Sequence, residues 1–273
     1  MSTEIVSCQW MRPTSVKCDG DSLTAVAGVK DEAYDPFGMP NLPNAFAKVT
    51  DAKSATRFAQ AYGLLGYGRL SDGDECHADE PLEWVLGQAD SVGFALRVIE
   101  ALSRGDASAL GAELEQRQVV VAGRPMNERD EPIHGASACY TFMIGAKLNL
   151  VCFQTHSDQT DWETLRNHAH SLIEYLVNNN TRGVRQVLRY GKGRLESCRC
   201  FSGLIEVIWY MVGDTAVKVQ DGSIVRRCEE CGTPFLVTDD RQRFCPPQHL
   251  SKTSLCGARR RIRRQRHGER VSK

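Results

Sequence analysis

The sequence lacks several features that would assign a protein to a large functional class. No stretch approaches the roughly 18 uninterrupted apolar residues that a membrane-spanning helix needs, so no membrane partner is expected. The first residues have neither a basic start nor an apolar core, so we expect no secretory signal and a cytoplasmic protein. Phosphate-binding glycine loops and Gly-x-Ser-x-Gly elbows are missing as well. No catalytic residue is therefore predicted.

Net charge is also lacking, but the formal balance of zero hides a marked asymmetry. Residues 226–273 contain 13 Lys and Arg against 5 Asp and Glu, whereas residues 1–225 contain 21 against 29. The carboxyl-terminal segment is therefore basic by eight charges, and the rest of the chain is acidic by eight. This separation of charge predicts that only the carboxyl-terminal segment binds the phosphate groups of a polyanion. A solvated tail whose charge serves solubility is the plainer alternative.

Hydrophobic periodicity predicts an α+β protein with a mostly helical body over residues 1–222 and a small β-sheet. Residues 1–48 are poorly periodic and are predicted to be mostly loop, with a short strand near 23–29. The pattern predicts helices over about 51–63, 81–105, 107–116, 160–178 and 203–212, and strands over 119–121, 138–142 and 148–153. Thr160 and Ser202 are the predicted caps of the last two helices. The final helix is apolar nearly all round, which places it at the centre of the core.

What the sequence does contain is cysteine, eleven residues in all, of which four lie near the carboxyl end. Cys228 and Cys231 are separated by two residues, a gap that lets one turn aim both sulfurs at a single ion. Cys245 and Cys256 complete a set of four thiols, and a structural Zn²⁺ site needs four ligands in a tetrahedron. In a cytoplasmic protein such clustered cysteines are more typical of metal binding than of disulfides. The four cysteines are therefore the predicted zinc ligands.

A zinc finger is predicted over residues 224–273. Its expected parts are a knuckle, a hairpin that pairs Pro234–Val237 with Arg243–Cys245, and a helix that begins at the last cysteine, an order like that of a treble clef. His249 stays open as an alternative to Cys256 for the fourth ligand. The apolar seam expected to dock the helix on the knuckle consists of Leu255, Ala258 and Ile262.

The remaining surface of this helix is mainly guanidinium. The planar guanidinium group of arginine can donate two parallel hydrogen bonds to phosphate oxygens or to the edge of a guanine base. The helix is therefore predicted to contact nucleic acid. The predicted contacts are Arg259, Arg260, Arg261, Arg263, Arg264 and Arg266. The tail has no aromatic residue after Phe244, which favours duplex DNA over the stacking of single-stranded bases.

The run Cys-x-x-Cys-Gly-x-x-Phe, then Arg-Phe-Cys, then Cys-Gly-x-Arg before a basic helix resembles the CGNR-type zinc fingers at the carboxyl end of many bacterial proteins. The resemblance implies a transcription regulator with a mostly helical amino-terminal region that senses or assembles. It also implies the same four ligands and the same arginine contacts. Ala258 occupies the position of the Asn in the CGNR motif. Ten residues separate Cys245 from Cys256. The specific match covers only about residues 226–266.

Together these observations predict a zinc-dependent DNA-binding protein that regulates transcription. Three alternatives stay open: an RNA-binding or ribosome-associated factor, an enzyme whose body is catalytic and whose finger is an anchor, and a protein-interaction module. A homodimer and a small-molecule effector on the body also stay open.

Overall fold

The structure is a computed structural model, and it describes residues 9–13, 15–26, 32–67, 79–117, 136–144, 147–154, 161–191, 194–237, 239, 241–246 and 254–271. Helices and short antiparallel sheets make up this part of the chain, so the prediction of an α+β fold is confirmed. Within the described residues, no helix is both long and apolar enough to cross a bilayer.

Short strands dominate the amino-terminal part of the body. They are β1 (Trp10–Arg12), β2 (Val16–Asp19), β3 (Ser22–Ala25), β4 (Glu32–Tyr34) and β5 (Asp79–Pro81). β1 pairs with β4, and β3 lies between β2 and β5. A 3-10 turn (Pro36–Gly38) and the short helix α1 (Leu42–Phe46) follow β4. The prediction of mostly loop was therefore wrong for much of residues 1–48, because strands of three or four residues are too short to show a period of two. The short strand predicted near 23–29 corresponds in part to β3.

Five longer helices build the rest of the body. They are α2 (Ala52–Tyr62), α3 (Leu82–Arg104), α4 (Ala107–Arg117), α5 (Trp162–Asn180) and α6 (Leu204–Gln220). Asp51 caps α2 by accepting a hydrogen bond from the Ser54 N–H over 2.7 Å, and α3 ends at Gly105 in the left-handed conformation. These helices confirm the predicted set, although two boundaries differ.

The differences concern the starts and ends of α5 and α6. Asp161 caps α5 through the Thr164 N–H, whereas the predicted cap, Thr160, lies outside the described residues. Gly203, not Ser202, is the cap residue of α6, and the helix continues to Gln220. The predicted end at residue 212 marked only the end of the apolar run, since the second half of α6 is more exposed.

The core of the body is centred on α3 and α6. The predicted face of α3 is buried throughout and consists of Val85, Ala89, Val92, Leu96 and Ile99. On α6, Trp209 is fully buried, and its indole N–H donates to the Gln88 side chain of α3 over 3.0 Å. The predicted central place of α6 is therefore confirmed.

Two hairpins flank the helices, β6 (Ala136–Ile144) with β7 (Lys147–Gln154) and β8 (Arg185–Gly191) with β9 (Arg194–Cys200). The first hairpin contains the strands predicted near 138–142 and 148–153. The strand predicted over 119–121 lies outside the described residues. β8 and β9 are additional to the strands that periodicity predicted.

The carboxyl-terminal part consists of β10 (Val225–Arg227), β11 (Pro234–Leu236) and α7 (Leu255–Val271). β10 pairs with β11, so the predicted pairing of β11 with residues 243–245 is wrong. The reason lies in the knuckle turn between them, where Gly232 has a φ of 70° and the chain folds back on itself. This turn brings the residues before Cys228 against those after Thr233.

Candidate metal centre and its basic helix

The structure brings the four predicted cysteines together. The Sγ atoms of Cys228, Cys231, Cys245 and Cys256 all lie within 4.8 Å of one another, and those of Cys231 and Cys245 are 3.4 Å apart. A tetrahedral ion with Zn–S bonds of about 2.3 Å needs sulfurs about 3.8 Å apart. The four thiols therefore fit a single metal ion. His249, the alternative fourth ligand, lies outside the described residues.

Two local features direct these thiols toward one point. The knuckle is closed by hydrogen bonds from the Cys228 N–H to the Thr233 carbonyl and from the Gly232 N–H to the Cys228 carbonyl, each 2.9 Å long. Ser254 starts α7 by accepting from the Gly257 N–H through its hydroxyl and from the Ala258 N–H through its carbonyl. The first turn of α7 then carries the fourth cysteine, as predicted.

Little apolar surface supports this arrangement. The buried cluster of the finger consists of three of the cysteines and Phe235, and only Val237 and Phe244 pack against it as half-buried side chains. Small domains with so little burial usually need a metal or disulfides to stay folded. A metal ion at the thiols would supply the missing stabilisation.

The thiols repel one another's charges when no cation neutralises them. Burial raises the pKa of Cys231, but hydrogen bonds from Thr233 and the neighbouring thiols outweigh burial and lower this pKa to about 6. Burial and the neighbouring thiols raise the pKa of Cys256 to about 11, and they raise the pKa of Cys245 still further. Of these three thiols, Cys231 is the one whose ionisation the cluster favours, and a divalent cation would hold all four sulfurs together as thiolates.

Thr233 connects the metal centre to the body. Its hydroxyl lies 3.1 Å from the Cys231 sulfur and also accepts a hydrogen bond from the Lys48 ammonium, which comes from the segment after α1. When Cys231 is a thiolate, the threonine hydroxyl donates to the sulfur. The positive charge of Lys48 then polarises this hydroxyl toward the sulfur and partly offsets the negative charge of the thiolates.

Two further contacts join the body to the finger beside metal-binding residues. Glu100, buried on α3, accepts from the Arg227 guanidinium over 2.6 and 2.7 Å, and Arg104 binds the same carboxylate. This pairing raises the pKa of Arg227, chiefly through the hydrogen bond to Glu100. The Asn41 amide donates to the Pro246 carbonyl over 3.3 Å. The segments that carry Cys228, Cys231 and Cys245 are therefore each tied to the body.

The face of α7 that packs on the finger differs from the predicted one. Leu255 is 50% exposed and Ile262 49% exposed, so the predicted seam is wrong. Cys256 must reach the thiol cluster, and successive residues in a helix are about 100° apart, so the packed face is turned by one residue. Gly257 lies beside Phe244 on this side of the helix.

The arginines of α7 divide into two groups. Arg263 pairs with Glu230 over 2.9 Å, and Arg260 is half-buried, so these two stay against the finger. The Glu230 side chain is only 4% exposed and lies between the first two cysteines, a partner that sequence reasoning missed. The side chains of Arg259, Arg261 and Arg264 are exposed, and that of Arg263 is 59% exposed despite its ion pair. The side chain of Arg266 lies outside the described ones.

Comparisons with known proteins leave the site to be interpreted from its own chemistry. No family model, curated protein or solved structure matches the chain. The resemblance to CGNR-type fingers therefore stays a prediction based on the cysteine motif. The geometry of the thiols and the exposure of the arginines provide the basis for assigning a function.

Proposed function

We propose that this protein is a zinc-dependent DNA-binding protein that regulates transcription. One Zn²⁺ is held by Cys228, Cys231, Cys245 and Cys256 in a treble-clef-like finger, and α7 contacts duplex DNA. The observation that carries this proposal is the position of the thiol cluster, which lies at the first turn of a helix with exposed arginines. The metal would fix the start of that helix, so its arginines would be presented from a rigid base.

The donor set supports zinc as the metal. Four sulfur ligands in tetrahedral reach are typical of structural Zn²⁺ sites, and soft thiolates disfavour Mg²⁺ and Ca²⁺. Because all four positions would be filled by protein sulfur, no open position would be left for substrate. The zinc would therefore stabilise the fold and would take no part in a reaction.

The form of α7 supports DNA as the partner. Its 17 residues span about 25 Å, and the major groove of B-DNA, about 12 Å wide, admits an α-helix. We assign the exposed Arg259, Arg261 and Arg264 to phosphates or bases, whereas Arg263, also exposed, is engaged by Glu230. Arg260 and Arg263, by contrast, would hold the helix on the finger, which narrows the predicted set of contacts.

Selection of duplexes from a random pool by the zinc-loaded full chain, at near-physiological salt, tests this function. We expect enrichment of a defined motif, and a two-fold symmetric motif would add a dimer. Changing Arg259, Arg261 and Arg264 together to Gln should weaken binding. If each makes one phosphate contact, the slope of log affinity against log salt should fall by about 2.7.

The matched control replaces three exposed basic residues of the body, Lys53, Arg57 and Arg166, with Gln. This control should leave the salt slope unchanged. An unchanged salt slope for the α7 triple variant would show that the contacts are not on α7. Selective retention of RNA over duplex DNA would favour the RNA-binding alternative instead.

A further inference from the structure

We propose that Cys231 is an oxidation site, where a hydroperoxide joins it to Cys245 in a disulfide and the metal is released. The inference rests on the zinc site proposed above and adds a reversible modification of one of its ligands. Its starting point is exposure. Among the described cysteine side chains, only that of Cys231 is exposed, whereas Cys228 is 3% exposed, Cys245 8% and Cys256 9%.

A cavity lies beside Cys231, at the junction of the body and the finger. Its volume is about 330 Å³, and it is bounded by α1, the knuckle and the first turn of α7. Three of the cysteines line it, Cys231, Cys245 and Cys256, while Cys228 does not. Because a water molecule occupies roughly 30 Å³, the cavity has ample room for a hydrogen peroxide molecule next to the sulfurs.

The charges around the cavity favour a neutral molecule over an anion. A divalent ion bound to four thiolates has two negative charges in excess. The cavity is also lined by two cations, Lys48 and Arg259, which balance this excess. A hydroperoxide enters without charge, and negative charge develops only on the oxygen that leaves when the O–O bond breaks. Lys48 and Arg259 lie where they would stabilise that departing hydroxide.

The reaction balances with hydrogen peroxide as its oxidant. The Cys231 thiolate attacks one peroxide oxygen, the O–O bond breaks, and Cys231 becomes a sulfenic acid while hydroxide leaves and takes a proton from solvent. The Cys245 thiolate then attacks the Cys231 sulfur and forms the disulfide. This step expels the second oxygen as hydroxide, which a solvent proton converts to water. The two sulfurs together lose two electrons, and one peroxide is reduced to two waters.

The position of Cys245 makes it the partner in the disulfide. Its Sγ atom lies 3.4 Å from that of Cys231, a separation that a small movement of either side chain closes. Cys245 also lines the cavity in which the sulfenic acid forms, whereas Cys228 does not. The disulfide removes two of the four metal ligands, so the metal leaves.

Loss of the metal has a consequence for the rest of the finger. The buried cluster of the finger contains little besides the cysteines themselves, so metal release unfolds this region. The start of α7 then loses its rigid base. Under the proposed function, oxidation of Cys231 therefore ends DNA binding, and reduction in the presence of zinc restores it.

The test treats the zinc-loaded full chain with hydrogen peroxide and follows zinc release with a colorimetric chelator, relative to a sample without peroxide. We expect about one zinc per chain to be released in step with a disulfide between Cys231 and Cys245, which peptide mass spectrometry identifies. Dithiothreitol with added zinc should restore the metal content. Cys18→Ser, on β2 and outside the thiol cluster, should release zinc at the unchanged rate.

A second variant is needed because Cys231→Ser removes a ligand together with the oxidation site. Asn44, a half-buried residue of α1, lines the cavity and is not a ligand. Asn44→Trp should fill part of the cavity and slow peroxide-driven zinc release several-fold, with the zinc content before treatment unchanged. The matched control is Gln116→Trp, which adds the same ring at an exposed position of α4 and should leave the rate unchanged.

The outcomes separate this inference from the proposed function. Retention of zinc under peroxide that oxidises the other thiols of the chain would overturn the inference, as would a first disulfide between Cys231 and Cys228. An unchanged rate in Asn44→Trp would also overturn it, because the oxidant would not pass through the cavity. If the disulfide forms as expected but the zinc-loaded chain binds no duplex, the DNA binding falls and the oxidation site stands. A chain that never holds zinc would refute the ligand assignment and both proposals with it.

Discussion

The body and the finger are stabilised by different chemistry. The body buries large side chains completely, among them Trp209, Phe46, Phe94 and Phe142. In the finger, the corresponding buried cluster consists of only three cysteines and one phenylalanine. About 220 residues supply enough apolar area for a core, whereas about 45 do not. The difference explains why a metal centre would be needed in one region only.

The two regions nevertheless meet through specific polar contacts. Glu100, Lys48 and Asn41 each bind a finger residue that lies within two positions of a cysteine of the cluster. Val225 of β10 belongs to the core of the body. A boundary near residue 223 therefore separates a body stabilised by an apolar core from a finger with a thiol cluster. Polar and apolar contacts nevertheless connect the two regions across this boundary.

Removal of the metal should have the largest effect, and it should be confined to the finger. Changing Cys245 to Ser should release about one zinc per chain and abolish hydrogen-exchange protection over residues 225–260, because metal binding and folding are coupled in such small domains. Circular dichroism should still show the helices of the body. Cys18→Ser, on β2, is the control and should change neither quantity.

Full zinc occupancy in the Cys245 variant would contradict the ligand assignment. Loss of helix throughout the body would contradict the comparison instead, since it would show that the two regions unfold as one unit.

A cavity in the body should have the next largest effect. Changing Trp209 to Ala removes a fully buried side chain and leaves Gln88 without its indole donor, so we expect a loss of about 3–5 kcal/mol in the free energy of unfolding. Zinc content should be unchanged wherever the body stays folded. Trp162→Ala, at the half-buried start of α5, should cost clearly less in the same denaturant titration. Equal losses would argue against the central place of α6.

The smallest predicted effect concerns the contact between the two regions. Changing Lys48 to Met should weaken zinc binding by about tenfold, because the charge relayed through Thr233 to Cys231 is lost while the aliphatic stem is kept. The measurement is the rate at which a chelator removes zinc. Lys53→Met, an exposed lysine on α2, should leave this rate unchanged. Identical rates for both variants would mean that the body does not influence the metal centre.

Local features of the chain were predictable, and long-range ones were not. The cysteine spacing and the periodicity of α3 depend on neighbouring residues, so sequence reasoning located both. The pairing of β11 with β10 depends on how the knuckle turn closes, and the packed face of α7 depends on the direction of Cys256. Glu206 on α6 accepts hydrogen bonds from the Gly183 N–H before β8 and from the Ser202 and Gly203 N–H groups after β9. No sequence pattern indicates such a long-range contact.

The ion pair between Glu100 and Arg227 has a consequence for synthesis. The two residues are 127 positions apart, so at about 5–20 residues per second Arg227 is made roughly 6–25 s after Glu100. Throughout that interval Arg104, one helical turn away, is the cation available to the carboxylate. The core that buries this carboxylate is complete only once α6 ends at Gln220, so the docking position forms shortly before the finger follows. Seating of the finger would then be the last step of assembly, and a chain truncated before residue 227 would keep this acidic position open to other cations.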